Sequence, residues 1–97
     1  MLPKNRAPAH PGEILERMFL NEMGVSQTDL AKHIKCKPGK INEIVNGKRG
    51  ITPEMALLLA DAFGNSPQFW LNLQQNHDLW RASQEHRHLS KLKGISA

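Results

Sequence analysis

The chain has no tyrosine and a single cysteine, Cys36, among its 97 residues. One thiol cannot close a disulfide within the chain, so stability must come from a packed core, and a reducing compartment is compatible. No apolar run approaches the roughly 20 residues of a membrane span. The first eleven residues, Met1 to Pro11, are polar and proline-rich, without the apolar stretch of a secretory signal. These absences point to a cytoplasmic protein with no membrane attachment. β-branched residues are sparse and no segment alternates apolar with polar residues at period two, which argues against strands. No nucleophile, base and orienting acid fall at motif spacing, so the sequence does not suggest an enzyme. His86 and His88 have no cysteine or acid cluster to complete a metal site, and no cofactor motif is present.

What remains is enough for one domain, which at this length buries roughly 65% of the surface exposed by the unfolded chain. The net charge is +4, and its placement is more informative than its sum. Lys32, Lys35, Lys37, Lys40, Lys48 and Arg49 stand against one acid, Glu43, between residues 32 and 50. That segment carries +5, so the rest of the chain sums to −1. A basic balance gathered in one place favours a nucleic-acid partner over an ordinary solvated face.

The apolar spacing is helical throughout and predicts five helices. The first runs from Pro11 to Glu22, with Ile14, Leu15, Met18 and Phe19 as its stripe and Gly24 as its stop. The second follows Ser26, where Ser26-Gln27-Thr28-Asp29 has the form of a capping box; Leu30 and Ile34 point inward. The third covers Pro38 to Asn46, with Ile41, Ile44 and Val45 on its apolar face. Thr52-Pro53-Glu54 starts the fourth, which carries Met55, Leu58, Leu59, Ala62 and Phe63 before Gly64. Ser66-Pro67 starts the fifth, which holds Phe69, Trp70 and Leu73, with Leu79 and Trp80 towards its end. His10, His33 and His77 are expected as surface or capping residues. The expected layout is an N-terminal arm over 1–9, a domain over 10–82 and a mobile polar tail over 83–97, with weak apolar spacing at Leu89, Leu92 and Ile95.

Residues 27 to 46 have the length and pattern of a helix-turn-helix unit. Two helices crossing steeply need a small residue at the crossing, apolar residues on both sides and a short turn. Ala31 is the small residue, Leu30, Ile34, Ile41 and Ile44 flank it, and Cys36 fills the turn as a packed apolar side chain. In such a unit the second helix enters the major groove while the first crosses the backbone. Gln27 and Thr28 then start the first helix at phosphate height. Lys37, Pro38, Gly39 and Lys40 open the second at the depth of base edges, followed by Asn42, Glu43 and Asn46. Lys40 and Asn42 are the candidate base readers, and Lys48 and Arg49 are placed for phosphates. Phe69, Trp70, Leu73 and Trp80 are candidates for the core or a subunit interface.

Ser26-Gln27-Thr28-Asp29-Leu30-Ala31 and Ile41-Asn42-Glu43-Ile44-Val45-Asn46-Gly47-Lys48-Arg49-Gly50-Ile51-Thr52 resemble HigA-type antitoxins of the Xre family. So do His10-Pro11-Gly12-Glu13 and Ser66-Pro67-Gln68-Phe69-Trp70-Leu71-Asn72-Leu73-Gln74. The resemblance covers roughly His10 to Ala82. It implies an all-α, five-helix, lambda-repressor-like helix-turn-helix domain. It further implies a homodimer on a palindromic operator in its own promoter, repressing transcription, and a HigB-type toxin, an mRNA endonuclease, held inactive. Three positions depart from the family pattern. Lys35 stands where glycine is usual, Lys37 where a serine cap is usual, and Gly39 where a longer polar residue is usual. These departures leave open one alternative, a toxin-binding module with degenerate DNA reading; a second, independent of them, is a helix-turn-helix regulator with no toxin partner.

Overall fold

Four of the five helices begin on a proline: Pro11, Pro38, Pro53 and Pro67. Proline suits a first helical position because its missing N–H has no partner there and its fixed φ already matches the helix. The computed structural model describes residues 7–94. Helix α1 runs without a break through three stretches, Pro11–Ile14, Leu15–Leu20 and Asn21–Met23, the middle one wound as π-helix. Helix α2 spans Gln27–Ile34, α3 Pro38–Val45, α4 Pro53–Phe63 and α5 Pro67–Glu85. No strand occurs among the described residues, so the architecture is all-α with five helices. None of these helices is long and apolar enough to cross a membrane.

Short polar side chains close the first turns as their positions predict. Ser26 Oγ accepts the Asp29 N–H at 3.0 Å while Asp29 Oδ2 accepts the Ser26 N–H at 3.4 Å, completing the capping box of α2. Thr52 Oγ1 caps α4 through Met55 N–H, and Ser66 Oγ caps α5 through Phe69 N–H. Each such cap contributes about 1 kcal/mol. Lys37, at the equivalent position of α3, makes no side-chain cap. Lys35 ends α2 in the left-handed region, at φ 61° and ψ 48°, the one non-glycine residue with positive φ among those described.

The π stretch changes which side of α1 faces inward. Its hydrogen bonds reach back five residues, as from the Asn21 N–H to the Glu16 carbonyl, so residues five apart share a face. Leu15 and Leu20 are accordingly both buried. Regular 3.6-residue spacing puts Met18 in the stripe; in the structure Met18 is 59% exposed and Leu20 takes its place. Helix α5 also departs from expectation. It continues through Ser83, Gln84 and Glu85, with the Ser83 hydroxyl donating to the Trp80 carbonyl, and no glycine or proline interrupts it. Leu79 lies on its exposed side, and Leu89 and Leu92 project from the non-helical residues after it. Residues 1–6 of the expected arm, and Ile95, lie outside the described residues.

The core joins all five helices. Trp70 is fully enclosed beside Phe19, Phe63 and Phe69, and its indole N–H donates to Asn65 Oδ1 at 2.9 Å. Ile41 and Ile44 of α3 are completely buried, as is Ala31 of α2; each isoleucine contributes about 1.5–3 kcal/mol to holding α3 in place. Near the C-terminal end of α3, α1 presses directly on its backbone. A Cβ on Gly12 would lie 1.7 Å from the Ile44 carbonyl oxygen, so only glycine permits this approach.

His10 caps α1 through its ring: Nδ1 accepts the Gly12 N–H at 2.9 Å, so it must be unprotonated there. Its ring packs edge-on against His77 with centroids 4.9 Å apart, and His77 Nδ1 lies 3.3 Å from the Pro8 carbonyl. Burial lowers the His10 pKa, and the charges of His77 and Arg81 act in the same direction against Asp78 and Glu13. Between the depressed folded value and the ordinary 6.5, the unfolded chain binds more protons than the folded one, so stability rises with pH in that window. The contribution is complete above 6.5 and is lost as pH falls through the folded value. Urea unfolding at pH 7.5 and 5.5 therefore shows a larger loss for the wild type than for His10→Asn, which keeps a capping oxygen but cannot titrate. Equal losses in the two proteins refute this role for His10.

Candidate nucleic-acid interface

The apolar side of α3 determines its opposite side. With Ile41 and Ile44 turned inward, residues 39, 43 and 46 follow at helical spacing along the outward face, with residue 42 beside them. Gly39, Asn42, Glu43 and Asn46 are all exposed. Lys40 sits at the flank of this face and is half-buried.

A polar chain links the two helices of the unit across this surface. Asn42 Nδ2 donates to Gln27 Oε1 at 3.2 Å, and Asn46 Nδ2 donates to Asn42 Oδ1 at 3.1 Å. Gln27, at the first position of α2, is half-buried by this contact, while Thr28 beside it is exposed. Arg49 folds back from the loop after α3 and donates to Glu43 Oε1 from both Nε, at 3.0 Å, and a terminal nitrogen, at 2.8 Å. Both partners are about half exposed, so the pair adds under about 1 kcal/mol of stability but fixes where both side chains point.

Lys35, Cys36, Lys37, Gly39, Lys40, Asn42, Glu43 and Arg49 line one open groove at the leading end of α3. Four of these are cations and one is an anion, and the sequence neighbours Pro38 and Lys48 are exposed. Cys36 is partly buried against the core, with Sγ 3.6 Å from the Lys37 carbonyl. A polyanion of regular shape can approach the groove from solvent without displacing any part of the fold.

The loop carrying Lys48 and Arg49 is anchored from behind by Gln74, whose Oε1 accepts the Ile51 N–H at 2.7 Å and whose Nε2 donates to Asp78. Gln74 closes the Ser66–Gln74 motif, where nothing in the residues around it marks this role. A 23-residue separation leaves no local signal for this bond. Of the four interface candidates, Phe69, Leu73 and Trp80 fall at helical spacing along one side of α5. Trp70 has no exposed area left to offer a second chain, which corrects its place among them. Phe69 and Leu73 are half-buried against the core. Trp80 is half-buried further along α5, with its indole N–H enclosed and without a partner among the described residues.

The pattern of a helix-turn-helix family matches residues 17–70, the stretch that contains α2, α3 and α4. Virulence-associated protein I of Dichelobacter nodosus is 47% identical over 94 residues, covering 96% of this chain and 87% of that protein. Antitoxin HigA-1 of Vibrio cholerae is 38% identical over 80 residues, covering 82% of this chain and 75% of its own length. The Pseudomonas aeruginosa antitoxin HigA, solved with the higBA promoter, superimposes with a TM-score of 0.78 at 43% identity, over 79% of this chain and 84% of that one. The chain belongs to the helix-turn-helix family, on its HigA-type branch. The HigA-type scaffold accounts for the outward α3 and for Gln27 beside it.

Proposed function

We propose that this HigA-type chain is a dimeric, DNA-binding autorepressor and antitoxin. Its partners on this reading are a palindromic operator in its own promoter and a HigB-type, mRNA-cleaving toxin. The observation that carries the DNA reading is the exposed leading end of α3, rimmed by Lys35, Lys37, Lys40 and Arg49 while its rear is locked into the core. Gln27 and Thr28 meet a phosphate at the start of α2. Lys37, Pro38, Gly39 and Lys40 approach base edges, and Asn42, Glu43 and Asn46 lie one to two turns deeper. Lys48 and Arg49 hold phosphates beyond the helix. Phosphate contacts set register, and base contacts select sequence. One such helix reads only a few base pairs, so two copies with recognition helices about 34 Å apart are needed to address successive major grooves. Trp80, with Phe69 and Leu73 beside the core, remains the candidate region for that subunit contact. The toxin half of the proposal rests on the antitoxin names carried by its relatives.

A mobility-shift titration with DNA from upstream of its own operon tests the DNA reading. Specific binding is expected, weakened about tenfold or more by Lys40→Glu and steeply salt-dependent. The uncapped Lys37 and the missing side chain at Gly39 favour one competing reading, an interaction module without operator selectivity. Weak binding equal for every sequence and indifferent to Lys40→Glu supports that alternative.

A further inference from the structure

Glu43 is the one acid in the groove, yet it occupies the middle of the outward face of α3. One turn earlier, Gly39 has no side chain, and a Cβ placed there has no neighbour within 4 Å. Nothing on the helix therefore stands between the Glu43 carboxylate and an incoming duplex. Both Arg49 bonds converge on Oε1, and among the described residues Oε2 has no partner. The arrangement is a half-exposed carboxylate held by a cationic fork, with one acceptor oxygen left unpaired among the described residues.

We propose that Glu43 is a specificity-determining residue that accepts a hydrogen bond from the exocyclic amino group of a cytosine in each operator half-site, with Arg49 positioning it. This inference rests on the DNA reading above. A carboxylate is acceptor-only, and so are phosphates, guanine N7 and O6, and thymine O4. In the major groove it can pair only with an amino donor. Cytosine N4 fits better than adenine N6, because adenine sets a second acceptor, N7, beside its donor. Guanine or thymine leaves a desolvated negative charge facing acceptors, so the residue selects mainly by penalising wrong sequences. Arg49 keeps its remaining N–H groups free for a phosphate while the fork fixes the carboxylate. The lysines around the groove supply sequence-independent attraction; Glu43 makes that attraction conditional.

Selection from randomised duplexes with the full chain, followed by titration of the selected site, tests this. The wild type selects a cytosine at one position per half-site, and replacing that C·G pair with T·A weakens binding roughly 5- to 150-fold. Glu43→Gln either loses that preference, binding both sites within about threefold, or moves it to adenine, which a glutamine pairs with bidentately. Arg49→Lys keeps the charge, and hence the salt dependence, but lowers discrimination at that one base pair. The inference is overturned if wild type and Glu43→Gln select the same base at every position. If the wild type selects no sequence at all, the operator reading fails instead. Circular dichroism establishes that both variants, altered only at exposed side chains, are folded.

Discussion

Replacing Gly12 with alanine lowers the unfolding midpoint by roughly 12–24 °C, or prevents folding at room temperature. The new Cβ would fall 1.7 Å from the Ile44 carbonyl oxygen, 2.5 Å from its carbon and 2.9 Å from Val45 Cα. All three are backbone atoms of α3, so no rotamer change relieves the overlap. Helix α1 must instead withdraw, and the core between Leu15, Ile41 and Ile44 opens. Overpacking a core normally costs about 1–3 kcal/mol; a backbone collision belongs at or above the top of that range. About 3 kcal/mol corresponds to the stated shift for a domain of this size. Gly39→Ala is the matched control. It adds the same methyl group to the same helical environment in open space, and it leaves the midpoint level or slightly raised because alanine favours the helix. Thermal unfolding followed at 222 nm compares the two. A midpoint for Gly12→Ala within 3 °C of wild type means that α1 and α3 do not touch as described.

The combined variant Lys35→Gly, Lys37→Ser is expected to gain stability while losing DNA affinity. Lys35 holds a left-handed conformation that costs a side-chain-bearing residue about 1–2 kcal/mol. Glycine removes that strain but returns part of the gain as extra freedom in the unfolded chain. Lys37 is an N-cap without a capping bond, and serine there adds about 1 kcal/mol. The net gain is about 1.5 kcal/mol, a rise of roughly 6–12 °C. Both lysines also line the groove at the leading end of α3. If each neutralises one phosphate, their loss lowers the magnitude of the log–log salt slope by about 1.8 and weakens binding roughly 30-fold at 0.15 M salt. Operator titration across a salt series, beside thermal unfolding, measures both quantities. A variant that is more stable and binds unchanged removes these lysines from the interface, and one that is less stable contradicts the assigned strain and missing cap.

The local chemistry of this fold was readable from residues alone. Ser26 with Asp29, Thr52, Ser66 and the four helix-starting prolines act within a turn of their own positions, so their partners lie in the same short string. Ile41 and Ile44 identify the buried side of α3, and the same wheel places Gly39, Glu43 and Asn46 opposite them. Basic charge points instead to Lys40, which the structure sets at the flank. Other features have no local trace. The π-wound centre of α1 breaks the 3.6-residue periodicity on which the Met18 expectation depends. The Gln74–Ile51 bond and the Gly12–Ile44 approach join residues whose proximity is settled only when the helices pack. Trp70 reads equally well as core or interface until its enclosure is seen.

The anchoring of α3 by its close contact with Gly12 and by its buried isoleucines has an evolutionary corollary. The rod itself cannot be re-aimed without unfolding the domain, so a change of target must come from side chains at 39, 42, 43 and 46. Position 39 is already empty and unobstructed. A cell holding several regulators of this build can therefore keep them from trespassing on one another's promoters by single-codon changes there, with no compensating adjustment elsewhere in the chain.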